Sequence, residues 1–187
     1  MKQFLRNKSA VTGTIIVGIL IITAIFADAI APKDPYQMDI WESFRPPEGL
    51  RGEYILGTDD MGRDVLSRII VGSRISLLVA IIATGVSLVF GVTLGAIAGY
   101  VGGITDAIIM RIMDLILAFP SILLAIAIVA SLGPGVVNAM LAIAIVRIPA
   151  MVRVTRSMVL SLREEDFVAA AQALGLSHTR ILFRHIL

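Results

Sequence analysis

The sequence predicts an all-α, polytopic membrane helix bundle, and three observations carry that prediction. Hydrophobic residues make up 57% of the 187 positions and charged ones 16%, with a mean hydropathy of +0.91. A soluble domain is roughly 45–50% apolar and about 25% charged, so there are too few polar side chains here to cover a globular surface. Apolar runs reach the ~20 residues that a helix needs to cross ~30 Å of hydrocarbon. Basic residues gather at the ends of those runs. Together these exclude a disordered chain, a coiled coil and an ordinary cytosolic enzyme. The chain has no cysteine, which rules out disulfides and thiolate metal sites.

Four spans are expected. The first covers residues 11–31, after a short N-terminus (1–10) holding Lys2, Arg6 and Lys8. Ala27-Asp28-Ala29 could serve as a leader-peptide cleavage site. The apolar run outlasts the ~7–15 residues of a leader core, however, and this favours an uncleaved span. The others are expected at 75–100, 108–132 and 136–155. Gly133-Pro134-Gly135 makes a tight turn between the last two, and Pro120 kinks the third by removing a helical hydrogen bond. Basic residues flank the cytoplasmic ends of spans. Three precede the first span, and Arg153, Arg156, Arg163, Arg180 and Arg184 stand at or beyond the end of the fourth. Both ends are therefore expected in the cytoplasm, with 32–74 outside.

The outer segment begins with Pro32, Pro35, Pro46 and Pro47, which keep the chain extended or turning. Trp41 and Phe44 are expected at the membrane interface or on a partner. Thr58 can cap an amphipathic helix over 59–74, with Asp59 and Asp60 in its first turn. Val65, Leu66, Ile69 and Ile70 would share its apolar face, opposite Arg63, Asp64, Ser67 and Arg68. Such a helix either anchors the following span or docks an external partner.

Within the membrane, Ala83, Ser87, Gly91, Gly95 and Gly99 recur every four residues, a small-residue stripe that lets helix backbones approach closely. Arg111 and Asp114, three apart on one helix face, are expected to form an ion pair. Arg147 lies roughly 17 Å along the fourth span at 1.5 Å per residue. It either snorkels, pairs, or lines a polar pathway suited to a carboxylate-bearing solute.

Beyond the fourth span, Phe167, Val168, Ala171 and Leu174 fall at helical spacing. Gly175 ends that helix, and Ser177 can cap a second through Ile181, Leu182 and Ile186. The apolar stripes of this bent pair either lie on lipid headgroups or fill a groove on a soluble partner. No G-x-x-x-x-G-K-[ST] phosphate loop is present. His178 and His185 lack companions at ligand spacing, so neither a metal nor another cofactor is expected.

The run from Phe167 through Ala169-Ala170-Ala171 to Gly175 and Ser177, followed by Arg180-Ile181, resembles the EAA loop of ABC importer permeases. Gly57-Thr58-Asp59 with Gly62-Arg63-Asp64 is similar to a signature of the C-type permease subunit of dipeptide and oligopeptide importers. Met110-Arg111 with Asp114 and Phe119-Pro120-Ser121 is similar to the third span of that subfamily. The resemblance covers the chain from Leu5 onward. It implies a type I importer transmembrane domain whose core spans 75–187, with the coupling loop at 163–187. It also implies partners: a second permease subunit in a heterodimer, two ATP-binding subunits, an external solute-binding protein and the lipid bilayer, with no nucleic acid. Hydrolysis would occur in a partner chain, and the implied solute is a dipeptide or short oligopeptide, with glutathione or nickel complexes carried by relatives. The alternative function is a membrane scaffold or receptor subunit without transport.

Two departures stand out. The leading Glu of the EAA motif is Ala169 here, and Glu165 is too far along the helix to replace it. Family members continue with a Pro after Ile186-Leu187 and about two more spans. About four of six spans are thus expected in this sequence, as a fragment or a truncated product.

Overall fold

The computed structural model describes residues 7–186. Lys2, Arg6 and Leu187, expected in the basic N-terminus and the coupling loop, lie outside them. The chain divides into two compact units, Met1–Ala80 and Ile81–Leu187. No strand occurs among the described residues, apart from an isolated bridge between Thr58 and Asp64.

In the first unit, α1 covers Lys8–Ile25 and the short α2 covers Ala27–Ile30. Asn7 caps α1 by accepting the Ala10 N–H at 3.2 Å, which satisfies one of the orphan donors of the first turn. The span expected at 11–31 is therefore interrupted at Phe26. Its end is closed by Arg74, whose guanidinium donates to the carbonyls of Ala24 (2.6 Å) and Ile25 (3.1 Å) and to Asp28 at 2.8 Å. A cation at a helix C-terminus complements both the unpaired carbonyls and the dipole. It also neutralises the one acid of that apolar run.

A single helix, α3, runs over Val65–Val101. It begins within the amphipathic stretch expected at 59–74 and continues without a break through the span expected at 75–100. The helix starts at Val65 rather than at Asp59, because residues 59–64 form a turn. The expected faces change with it: Ser67 is wholly buried while Ile69 is exposed.

In the second unit, α4 (Gly103–Leu117) and α5 (Ser121–Leu132) stand where a span was expected at 108–132. They meet at 90° around Ala118–Pro120. Pro120 disfavours helical conformation in its predecessor, so a kink was foreseeable, but this is a complete break. At ~1.5 Å per residue, neither helix alone covers the ~30 Å of hydrocarbon. Three helices (α1, α3 and α6) are long and apolar enough to cross a membrane, or four if the bent pair counts as one. After the Gly133-Pro134-Gly135 turn comes α6, Val136–Arg163. Asn138 closes that turn by donating to the Leu132 and Gly133 carbonyls at 3.0 Å. The fourth span was expected at 136–155, yet α6 continues two turns further, with Pro149 buried inside it.

The small-residue stripe on α3 is buried at Ala83, Ser87, Gly91 and Gly95, and over Gly91, Gly95 and Gly99 its partner is α6 of the same chain. A Cβ added to Gly95 would lie 2.6 Å from the Val152 carbonyl oxygen and 2.7 Å from Thr155 Cβ. At Gly99 it would lie 2.9 Å from the Arg156 carbonyl oxygen. Only glycine permits this backbone-on-backbone approach. Two ion pairs join α4 to α6. Arg156 donates to both oxygens of Asp106 at 2.5 and 2.6 Å, and Arg153 donates to Asp114 at 2.7 Å. The expected Arg111–Asp114 pair is not formed. Asp114 turns to the neighbouring helix instead, where Arg153 reaches it across the packing contact.

Candidate functional site

Two regions contain most of the residues singled out by sequence. The first is the turn that precedes α3. Gly57 and Gly62 hold φ of +77° and +72°, a conformation glycine adopts without strain. At Gly62 there is also no room, because the Asp39 backbone occupies the place of a Cβ. Thr58 does not cap a helix. Its hydroxyl accepts the Arg45 N–H at 2.9 Å and donates to the Glu42 carbonyl, which ties down the proline-rich stretch. Asp59 accepts the Met61 and Arg63 N–H groups at 2.9 and 3.0 Å, and pairs with the Arg63 and Arg68 side chains.

Asp64 is the true N-cap of α3. Its Oδ2 accepts the Ser67 N–H at 2.8 Å and the Ser67 hydroxyl at 2.6 Å, and Ser67 Oγ in turn accepts the Lys33 N–H at 3.0 Å. Asp64 at the cap and Ser67 at N3 satisfy the first turn of the helix. The signature residues Gly57, Thr58, Asp59, Gly62, Arg63 and Asp64 thus bond one another and the segment before them. Nearby, Lys33 Nζ sits 3.6 Å from the centre of the Tyr54 ring and 2.8 Å from Glu53. The hydrogen bond from Lys33 holds the Glu53 carboxyl below the usual glutamate range. Trp41 and Phe44 are exposed.

The second region follows α6. Asp166–Ala173 forms α7, His178–Ile181 forms α8, and Leu182–Ile186 continues as a wider π-type turn. Gly175 takes φ +78°. The Leu176 N–H reaches the Ala171 carbonyl at 3.2 Å and the Gly175 N–H reaches the Gln172 carbonyl at 2.9 Å. This is a Schellman closure with glycine at its left-handed position. The Ser177 carbonyl accepts the Ile181 N–H at 3.0 Å and so opens α8.

The bent pair is seated on the ends of α3 and α6. Val168, Ala171, Ile181 and Leu182 are buried with Ala96 and Val159, and Tyr100, Leu162 and Leu176 pack around them. Tyr100 Oη is 2.9 Å from His178 Nδ1, and Arg163 donates to the Tyr100 carbonyl at 3.0 Å. The apolar stripe expected to face outward as one surface is therefore split. Ala171 and Ile181 point into the chain, because burying them covers the ends of the two long helices. Phe167, Ala169, Ala170, Leu174, Gly175, Ser177 and Arg180 remain exposed, Leu174 at 81%.

The charges expected within the membrane separate likewise. Asp114 is paired, whereas Arg111 and Arg147 are exposed and have no carboxylate within 4 Å among the described residues. Arg156 and Asp106, whose pairing no motif had signalled, form the better-covered ion pair. Opposite charges fifty residues apart gave no local clue. Among the described residues no group of His, Asp or Glu could hold a metal.

Comparison with known proteins agrees with the helical architecture and the resemblance. Residues 91–187 match the family model described as binding-protein-dependent transport system inner membrane component, and residues 1–47 match the N-terminal TM domain of oligopeptide transport permease C. The chain is 49% identical over its full length to the dipeptide transport system permease protein DppC of Alkalihalophilus pseudofirmus, of which it covers 60%. It is 42% identical to the di/tripeptide transport system permease protein DppC of Pseudomonas aeruginosa, over 97% of this chain and 61% of that one. It is also 42% identical over its full length to the glutathione transport system permease protein GsiD of Pectobacterium atrosepticum, covering 61% of it. The chain thus spans about three fifths of the length of the curated relatives it matches. It is an apolar, multi-helix membrane chain, and it belongs to the family of binding-protein-dependent transport system inner membrane components.

Proposed function

We propose that this chain is a transmembrane subunit of an ATP-driven importer for dipeptides or short oligopeptides in the inner membrane of a prokaryote. It forms part of the translocation pathway with a second permease subunit. An external solute-binding protein delivers the solute, and two ATP-binding subunits, which carry out the hydrolysis, grip the loop around Gly175. Both ends of the chain face the cytoplasm in this reading, and residues 32–74 face outward.

The observation that supports it best is the division of labour in the α7–α8 pair. One side is buried on α3 and α6, so a force on the loop is delivered to two long helices. The other side exposes Phe167 and Leu174 beside Ala169 and Ala170, a shallow apolar surface of the kind that fills a partner's groove.

Co-purification with the ATPase subunits and uptake of a labelled dipeptide test this reading. Leu174→Glu should abolish both, while the conservative Leu174→Met should leave them intact. Retention of both activities by Leu174→Glu would overturn the assignment of this surface. Accessibility of a cysteine placed at Ser177 to an impermeant reagent in intact cells would overturn the orientation.

A further inference from the structure

Residues 81–163 contain five arginines and two aspartates, Asp106 and Asp114. Both aspartates are occupied, by Arg156 and Arg153 respectively. Arg163 ends α6 and donates to the Tyr100 carbonyl. Arg111 also lacks a carboxylate partner among the described residues, though Asp114 stands within a turn of it on α4. Arg147 stands apart: it is roughly 17 Å from the start of α6, near the middle of ~30 Å of hydrocarbon.

The faces of α6 show what can surround Arg147. The side carrying Met151, Val152, Thr155 and Val159 lies under the glycines of α3. The side carrying Arg153 and Arg156 is joined to α4. Arg147, Ala150, Val154 and Met158 fall within an arc of about 80° at 100° per residue, and all four are exposed. Lipid is an unfavourable solvent for Arg147, though not for its three apolar neighbours. A guanidinium at mid-depth costs about 2.5–3.5 kcal/mol on the most lenient scale, and such residues face a bundle interior or a water-filled cavity.

We propose that this strip of α6 lines the aqueous pathway and that Arg147 holds the carboxylate of the passing solute. The inference rests on the reading that the chain carries peptides, each of which ends in a carboxylate. The planar guanidinium fork matches a carboxylate in two parallel hydrogen bonds, and Ala150, one turn on, leaves room beside it. No acid of this chain competes for Arg147 among the described residues.

The test uses the assembled transporter in proteoliposomes, supplied with saturated complexes of its binding protein and either a dipeptide or its C-terminal amide. Saturation is verified by direct titration, so any difference arises in the membrane. Wild type should import the free acid about tenfold faster than the amide, a single charge-assisted contact's worth of discrimination. Arg147→Gln should reduce free-acid import to the amide rate and leave amide import unchanged. Arg147→Lys should retain part of the preference.

An equal loss for both peptides, or an unchanged preference in Arg147→Gln, would overturn the proposal. So would loss of the second permease on co-purification, which would make Arg147 an interface residue. If wild type imports neither peptide, the peptide-import reading falls with it. If wild type imports both and Arg147→Gln is indifferent, only the present proposal falls.

Discussion

Replacing Gly95 with alanine adds one methyl group at the closest approach of α3 and α6. That methyl would sit 2.6 Å from the Val152 carbonyl oxygen and 2.7 Å from Thr155 Cβ. Ordinary contact begins at 3.4 Å, so the helices must separate by several tenths of an ångström. The obstacle is largely backbone and cannot swing aside. Overpacking of this kind costs about 1–3 kcal/mol. Alanine offsets part of that, because glycine inside a helix is worse than alanine by about 0.5–1 kcal/mol. The expected net effect is a loss of up to about 2.5 kcal/mol. Gly85 provides the control: it lies on the same helix with nothing within 4 Å of an added Cβ, so Gly85→Ala should stabilise. Thermal denaturation of the detergent-solubilised protein, followed by loss of the monodisperse chromatographic peak, should rank Gly85→Ala above wild type and Gly95→Ala below it. A Gly95→Ala protein as stable as Gly85→Ala would refute the close packing of α3 on α6.

Asp106→Asn leaves Arg156 without its bidentate partner and should cost about 1–3 kcal/mol, as expected for a hydrogen-bonded, half-covered charge. Asp114→Asn, whose pair is about half exposed on both sides, should cost less in the same denaturation series. The swap Asp106→Arg with Arg156→Asp should recover part of the loss. Gly62→Ala combines a left-handed backbone, worth roughly 1–2 kcal/mol, with collision against the Asp39 backbone. Gly49→Ala has a similar φ of +75° and open space, so it should show only the first cost. The Lys33–Glu53 contact should depend on pH. Because hydrogen bonding to Lys33 lowers the folded-state pKa of Glu53, its stabilisation is present above the ordinary glutamate pKa and lost as pH falls through the folded value. The small advantage of wild type over Glu53→Gln at neutral pH should vanish in strongly acidic buffer.

Several features were legible in local sequence because their causes are local. Apolar run length marks the candidate crossings, the four-residue recurrence of small side chains marks a packing face, and glycine after an apolar periodicity marks the Gly175 closure. The 90° break at Ala118–Pro120 was only half legible. Proline announces a disturbance, but its angle depends on how α4 and α5 each pack on α6. The signature before α3 has the local pattern of a helix start, because Thr58, Asp59 and Asp60 satisfy every local rule for a first turn, yet it folds as a turn. The competing bonds come from Asp39, Glu42 and Arg45, well outside any helical window.

The sequence by itself determined that this chain is dissolved in lipid and which helix face must meet another backbone. Those properties belong to single segments, set by transfer free energy and backbone sterics. Only the tertiary structure decided that α6 is the partner of the glycine face, that Asp106 and Asp114 answer to Arg156 and Arg153, and that Ala171 and Ile181 face inward while Leu174 does not. Such pairings join residues far apart in the chain. They depend on which surfaces are close enough to exclude solvent, and no periodicity within one segment encodes that.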